Sequence, residues 1–560
     1  MEKQWQVKTP DPLAQKMLSD GLDIHPIIAQ LLINRRVTTV AEAKSFLSAD
    51  LPSLYNPFLL TDMDRAVKRI EDARARGEKV LIYGDYDVDG VTSSALLRRT
   101  LKRLGVSAIN YIPHRMEEGY GLNNSIAEFA RSQGIHLLIT VDCGINAFEP
   151  VAAIMAAGID VIVIDHHEPD GNKVPPALAV IDPKRPDCLY PFKNLSAVGL
   201  VAKLAQALLG HVPEEDLDLV AIGTVADVVA LRGENRIFVK RGLPLIQRTA
   251  KLGLRALLEA AKISGKKMKP YYIGFILGPR LNAAGRMDSA NIALDLLLCE
   301  DFDTANALAR SLEEHNQDRQ KMQLSVVEEA IAMIEAQEEL KASQIIVVAK
   351  EGWHKGVLGI VASRIVEKYY RPTVVISVED GLGTGSARSI EGFHLHEALA
   401  SCAAMLDNYG GHKRAAGLRL KHENVGPFRI AINEFARDIL TMEQMIPILD
   451  IDCEIPLSSI DLDLVEIIGS MEPHGEGNPA PVFCSRKLTV KSAPVVLGRE
   501  TLKFWVTDGV KSYSAVGFGM ASFKETVKLG AKVDVAYTLG IDDWNKAPVP
   551  QLMLKDVRPI

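Results

Sequence analysis

From about residue 75 the chain alternates short continuous apolar runs, at 79–83, 106–112, 136–141 and 160–164, with stretches in which apolar residues recur every three or four positions. Unbroken apolar runs predict strands buried on both faces, and the 3.6-residue period between them predicts covering helices. Strand and helix in alternation make a parallel sheet with helices on its faces. One such helix is expected over 92–104, where Ala95, Leu96, Leu97, Leu101 and Leu104 keep the helical spacing. Ahead of this region, residues 1–55 carry short amphipathic segments such as 26–32, punctuated by Pro10, Pro12 and Pro52, and read as a helical lead-in.

Residues 286–351 contain neither Gly nor Pro. The spacing of Ala305, Leu308, Ala309, Leu312, Val326, Val327, Ile331 and Ile334 predicts a long helix over 301–340. Uninterrupted, it would span about 60 Å; two shorter packed helices fit the same pattern. A second α/β unit is expected to follow, with a strand at 345–349, a helix at 357–369 and a strand at 373–378. Short strand-like runs at 488–490, 504–506, 513–516 and 533–537, separated by turn residues, predict a small C-terminal β-barrel. The expected fold class is therefore α/β: a parallel-sheet domain at 56–285, a helical connector at 286–342, a smaller α/β domain at 343–440 and a barrel at 445–560.

Bulk properties narrow this picture only a little. A chain of 560 residues with 47% hydrophobic and 24% charged residues is a globular protein of several domains, and its net charge of −7 means that any nucleic-acid surface must be local. The cysteines, Cys143, Cys188, Cys299, Cys402, Cys453 and Cys484, form no Cys-x-x-Cys pair, which fits a reducing cytoplasm. The N-terminus lacks the apolar core of a signal peptide, and no apolar run is long enough for a membrane helix. Charge is split at the end of the chain. Residues 445–480 have eight acids and no Lys or Arg, whereas 481–560 have twelve Lys/Arg against seven acids. Basic residues interleaved with Phe504, Trp505, Tyr513, Phe518 and Trp544 suit an OB-fold that tracks phosphates and stacks bases. Strand alternation assigns at least half of those aromatics to the barrel core instead.

The chemistry gathers at the ends of the strands. The run 79–83 leads into Gly84-Asp85-Tyr86-Asp87-Val88-Asp89-Gly90, whose carboxylates repel one another unless a hard cation sits among them. An acidic turn is the other reading. An EF-hand calcium loop is disfavoured, because its twelfth position is Leu96 where that site needs Glu. The third run ends in Asp142-Cys143-Gly144 and the fourth in Asp165-His166-His167. Alone, such an Asp is usually a helix cap and such a His a structural residue. Converging on one sheet edge, where open α/β sheets place their ligands, they suit a binuclear manganese or magnesium site. Asp227 lies in the apolar segment Gly223-Thr224-Val225-Ala226-Asp227-Val228-Val229, where burial demands a cationic partner.

These four motifs, in this order and approximate spacing, resemble the DHH phosphoesterase superfamily, and within it the branch of single-strand-specific 5′-to-3′ DNA exonucleases. The resemblance continues through the stretches 277–287, 353–364, 385–389 and 410–412, and covers the chain from about residue 20 to its end. It implies a DHH domain, a DHH-associated domain joined by a long helix, and an OB-fold. It also implies two divalent ions, Mn2+ or Mg2+, held by Asp85, Asp87, Asp89, Asp142, His166 and Asp227. Asp87, Asp142, His166 and His167 would form the catalytic set. Other branches begin the first motif with His where this chain has Asp85, so how the loop acids divide between the metals stays open. His167 matches a residue that approaches the substrate phosphate, as its ligand or as the acid for the leaving oxygen, and Asp165 would orient a neighbouring histidine. Arg280, Ser386, Arg388, Gly410, Gly411 and His412 would hold a terminal phosphate. The implied substrate is single-stranded DNA with a 5′ end, in repair and recombination, with helicase and single-strand-binding-protein partners, no membrane and a monomeric state. Two rivals remain: a phosphodiesterase for very short oligonucleotides or cyclic dinucleotides, and a non-catalytic strand-binding scaffold of the same fold.

Overall fold

The structure, a computed structural model, describes residues 3–114, 121–123, 125–287, 289–542 and 548–560. It divides into two compact units, one of Trp5–Leu312 with Asp450–Ile560 and one of Glu313–Leu449 with the first few residues.

The first unit holds the expected parallel sheet. Its strands lie side by side in the order Ala108–Tyr111, Lys79–Gly84, Ile135–Val141, Asp160–Ile164 and Ala179–Ile181. Alternate residues serve two cores. Val80, Ile82, Ile139 and Ile162 face one, and Leu81, Tyr83, Leu138 and Val161 face the other. That double burial is why the strands read as unbroken apolar runs. The last strand, only three residues long, did not stand out in the sequence. The register pairs Gly84 with Val141, Val141 with Ile164 and Ile164 with Ile181, so the strands end in step. The ladder runs one residue further: the amides of Asp85, Asp142 and Asp165 donate to the carbonyls of Val141, Ile164 and Ile181 at 3.3, 3.0 and 3.1 Å. Asp85, Asp142, Asp165 and Asp182 therefore leave the sheet as neighbours in one row.

The C-terminal strands close a barrel. Phe483–Val490 pairs with Thr501–Thr507, which pairs with Ser512–Gly517, then Val549–Pro559, then Lys532–Asp542, which returns to Phe483–Val490. Alternation sorts the aromatics: Phe504 is in the core, Trp505 and Phe518 are exposed, and the Tyr513 hydroxyl donates to the Ile460 carbonyl. Trp544 lies outside the described residues. The N-terminal helices Pro12–Leu22, Pro26–Asn34 and Val40–Ser48 are more than a lead-in, because Leu18, Ile28, Leu32 and Phe46 share one core with Phe483, Phe504 and Val535 of the barrel.

In the second unit the strand order is Asn408–Gly411, Ala415–Lys421, Leu382–Arg388, Thr373–Glu379 and Ile346–Glu351, the last two parallel and the rest antiparallel. The long helix Phe302–Glu335 has 34 residues, about 50 Å at 1.5 Å per residue. It ends short of the expected residue 340, since Gln337 takes an extended backbone and caps the separate helix Glu338–Ala342. Ala305, Ala309 and Leu312 belong to a core of the first unit, Val326, Ala330 and Ile334 to one of the second. No helix among the described residues is long and apolar enough to cross a membrane.

Two buried arginines make the junctions: Arg236 ties the N-terminal helices and the segment before the barrel to the sheet domain, and Arg35 ties the N-terminal helices to that segment. Arg236 donates to the carbonyls of Phe46, Pro473 and Glu472 at 2.8, 3.2 and 3.0 Å. Arg35 donates to Leu31 O, Asn478 Oδ1 and Pro479 O, and pairs with Asp452. Burial pulls the Arg236 pKa down to about 10, so it stays charged at neutral pH. Arg236→Ala strands three carbonyls, those of Phe46 and Pro473 in buried bonds, and is expected to cost about 3 kcal/mol. Urea denaturation followed by tryptophan fluorescence measures this, and a midpoint equal to that of the parent protein contradicts it.

Candidate metal centre

The first motif turns from strand to helix. Asp87 is the N-cap of helix Val88–Arg103, its Oδ1 accepting from the amides of Asp89 and Gly90 at 2.9 and 3.2 Å. The helix thus starts four residues before the expected position, because the cap lies within the acidic loop. A Cβ on Gly90 would overlap the Asp85 carbonyl, so only glycine lets the loop close this tightly. Asp89 is almost fully buried, and its two oxygens accept from the amides of Ala197 and Val198 at 2.7 and 2.9 Å, where helix Ala197–Leu209 begins. A Cβ on Gly223 would collide with Thr92 and Asp89, so glycine allows helix Leu217–Ala226 to close on helix Val88–Arg103 and deliver Asp227.

Three overlapping groups have ligand atoms within 4.8 Å of one another: Asp85, Asp87 and Asp142; Asp142, His166 and His167; and Asp89, His166 and Asp227. All six residues expected to hold metal are brought together with His167, and Asp142 and His166 each join two of the groups. Asp142 adopts a left-handed backbone, φ 64°, rare outside glycine but tolerated by aspartate. His166 Nε2 lies 3.2 Å from Asp142 Oδ1 and 3.6 Å from Asp227 Oδ2, yet these three buried atoms make no hydrogen bond among the described residues.

Electrostatics explains the arrangement. Burial, together with the charges of Asp87, Asp89, Asp85 and Asp227, pushes the Asp142 carboxyl well above the usual carboxylate range. Burial and the charges of Asp89 and Asp87 raise Asp227 to about 9. Burial and Asp87 raise Asp89 to about 7, against the two amides it accepts. Burial and the positive His167 lower His166 to about 4, which keeps its imidazole neutral and able to ligate. Acids that resist ionising beside a neutral imidazole fit a cation that offsets their repulsion, and an oxygen-rich set with one nitrogen fits Mn2+ or Mg2+.

Asp165 serves the site differently. Its Oδ1 accepts from the amides of His166 and His167 at 2.7 and 3.2 Å and lies 2.7 Å from His167 Nδ1, while its Oδ2 accepts from the Ile145 amide. Burial opposes charge on His167, but the bond to Asp165 and the fields of Asp165, Asp227 and Asp85 outweigh it and raise its pKa to about 9. Sequence reasoning missed two residues. Asp182, fourth in the row, is buried and raised to about 7 by burial and Asp165, and Lys184 extends a positive field to His166 and Asp227. The only available signal was the short apolar run 177–181 before them.

The residues expected at a terminal phosphate divide between the units. Arg280 is on helix Gly278–Met287 of the first unit, its Nη1 donating to the Ile276 carbonyl. In the second unit, Ser386, Gly417 and Gly410 are aligned across three strands. Nothing lies within 4 Å of a Cβ built at Gly410, and Gly411 has φ 135°, a backbone that favours glycine. Arg388 Nη1 donates to Ser386 Oγ and to the Ala387 carbonyl. A Cβ on Gly359, in the first turn of helix Leu358–Tyr369, would lie 2.8 Å from Arg388 Nη2, so the helix start meets the guanidinium closely. A helix N-terminus beside an arginine and a side-chain-free strip can receive a phosphate. His412 follows on the exposed turn after Gly411.

A parallel sheet whose in-step strand ends present aspartates and an Asp-His-His triplet defines a DHH-class metal phosphoesterase. Family models agree: DHH family, N-terminal domain, matches residues 79–224, DHHA1 domain residues 342–438, and RecJ OB domain residues 451–556. The chain is 39% identical to the single-stranded-DNA-specific exonuclease RecJ of Bacillus subtilis, over 99% of this chain and 70% of that protein. Crystal structures of Thermus thermophilus RecJ superpose with TM-scores of 0.84 in complex with Mn2+ and 0.78 in complex with Mg2+, at 30% and 29% identity. Each alignment covers 99% of this chain, with 79% of the Mn2+ structure's chain and 78% of the Mg2+ structure's chain. The chain belongs to the RecJ family.

Asp142→Asn removes a carboxyl whose ionisation burial and the neighbouring acids oppose, and with it the free-energy cost of that opposition in the folded state. In EDTA it is expected to raise the thermal midpoint by about 2–4 °C, and in Mn2+ to gain less stabilisation than the parent chain. Thermal-shift measurements with and without Mn2+ check both, and a lower midpoint in EDTA contradicts the electrostatic account.

Proposed function

We propose that this chain is a single-stranded-DNA-specific 5′-to-3′ exonuclease that releases 5′-mononucleotides by metal-dependent phosphodiester hydrolysis, acting as a cytoplasmic monomer in repair and recombination. The observation that carries the reading is the convergence of Asp85, Asp87, Asp89, Asp142, His166 and Asp227 in overlapping groups, each with its ligand atoms within 4.8 Å of one another. These six residues hold two divalent ions, which when bound polarise the phosphoryl group and make water acidic enough to attack at neutral pH.

The chain's own groups do the rest. Asp89 keeps its orientation through two amides at a helix start, which leaves its remaining lone pairs for a cation. Asp165 fixes the His167 ring through Nδ1 and keeps it protonated, so the opposite N–H points to a non-bridging phosphate oxygen or gives its proton to the leaving 3′ oxygen. In the second unit Arg388 and Ser386, with the strip at Gly410, Gly411 and His412, bind a 5′-terminal phosphate, and Arg280 contacts the backbone from the first unit. Terminal-phosphate recognition sets the polarity of cutting. The closed barrel, with Trp505 and Phe518 exposed, suits longer strands better than dinucleotides.

End-labelled single-stranded DNA incubated with Mn2+, Mg2+ or EDTA tests the reading. Mononucleotides appear from the 5′ end, duplex survives, and EDTA stops the reaction; cutting from the 3′ end or in EDTA sinks it. Asp87→Ala is expected to reduce cleavage beyond the roughly 10- to 100-fold loss seen when a residue supporting a metal ligand is removed, with strand binding kept in a gel-shift assay. Arg388→Ala is expected to abolish the difference between 5′-phosphorylated and 5′-hydroxyl strands, read from initial rates on the two.

A further inference from the structure

Between Ala260 and Met287 the chain carries Lys262, Lys266, Lys267, Lys269, Arg280 and Arg286 and no Asp or Glu, within a protein of net charge −7. In the middle of this stretch Ile273–Leu277 forms a π-helical turn, flanked by Pro270–Tyr272 and the helix Gly278–Met287. Such turns are rare and concentrate at functional sites. Ile273 and Leu277 are fully buried in a core that also holds Val88 and Ile222. Tyr271 and Phe275 face outward, 60% and 71% exposed, with their rings stacked at 5.1 Å between centroids and 26° between planes. Gly274 between them has nothing within 4 Å of a Cβ position, so the backbone between the two rings borders open space. Isolated exposed apolar side chains are ordinary; a stacked pair in a stretch that carries four lysines and no acid calls for an occupant that is flat, apolar on its faces and anionic along one edge.

The location narrows the choice. A Cβ on Gly278, just past the turn, would lie 3.7 Å from Ala226 Cβ, beside Asp227. On the other side Lys269 pairs with Glu472 at 3.1 Å, in the segment that leads into the barrel. That segment also accepts the Leu231 amide at the Glu476 carbonyl and the Arg232 guanidinium at the Gly477 carbonyl. The aromatic face thus stands between the metal cluster and the approach to the barrel, all within the first unit.

We propose that Tyr271 and Phe275 form a base-stacking platform for the part of a single strand on the 3′ side of the scissile bond, with Lys266 and Lys267 binding its phosphates. This rests on the nuclease reading above. Stacking on an exposed aromatic face tolerates any base, as a processive exonuclease requires, and the lysines supply the sequence-independent part of the affinity.

The test uses the full-length double variant Tyr271→Ala/Phe275→Ala, which removes no core contact. With Mn2+ and 5′-phosphorylated oligothymidylates of about 20 and about three nucleotides, the KM ratio between variant and parent is expected to be about tenfold for the long strand and under about twofold for the short one. Tyr271→Phe/Phe275→Trp, which keeps two stacking rings, restores the long-strand KM. A long-strand KM within about twofold of the parent, or an equal rise for both lengths, overturns the platform. Fluorescence anisotropy of the long strand in EDTA reads the platform apart from catalysis: about tenfold weaker binding by the alanine variant supports it, and unchanged binding overturns it, whether or not the parent chain cleaves. Failure of the parent to cleave either strand would count against the nuclease reading alone.

Discussion

The candidate centre depends on one constraint: neighbouring parallel strands end in step, and an aspartate follows each of four of them. Hydrogen-bond register, set by the apolar pattern on both faces, fixes the spacing of those carboxylates before any side-chain chemistry is considered. Like charges a few ångströms apart in a buried site repel strongly, and the protein relieves only part of that. Asp165 is satisfied by three backbone amides, Asp89 by a helix start and Asp87 by its own helix. What is left over, at Asp142 Oδ1, His166 Nε2 and Asp227 Oδ2, is buried without a hydrogen bond among the described residues and sets the demand for positive charge.

The same economy operates at the junction of barrel, N-terminal helices and sheet domain. Arg236 makes its bonds to three carbonyls, with its guanidinium 3.9 Å from the centre of the Phe46 ring. Carbonyls at chain turns need donors that secondary structure cannot provide, and a planar guanidinium satisfies several at once. The N-terminal helices and the segment before the barrel are thereby held against the domain that carries the metal ligands.

Much of this was legible in the sequence, for physical reasons. Double burial makes a strand unmistakable, so the first, third and fourth apolar runs pointed directly to Asp85, Asp142 and Asp165. Asp227 was legible because an acid in an apolar helix needs a reason. Asp182 and Lys184 were not, because three residues of strand give no periodicity. The long helix ends early although no Gly or Pro marks the break. The partnership of residues 1–55 with the barrel was invisible for another reason: it joins segments some 400 positions apart, and local pattern carries no record of which amphipathic faces meet. Strand alternation implied that the barrel aromatics divide between core and surface but not which goes where, and in the structure Phe504 is buried and Trp505 exposed; the Tyr271–Phe275 pair was not singled out at all.

The helix Phe302–Glu335 is shared property: its first turns complete one hydrophobic core and its last turns another. Fraying of its first turns therefore withdraws packing from the core that holds Ala305 and Leu312, and fraying of its last turns from the core that holds Val326 and Ile334, so each core depends on a helix end that no strand of its own sheet can replace.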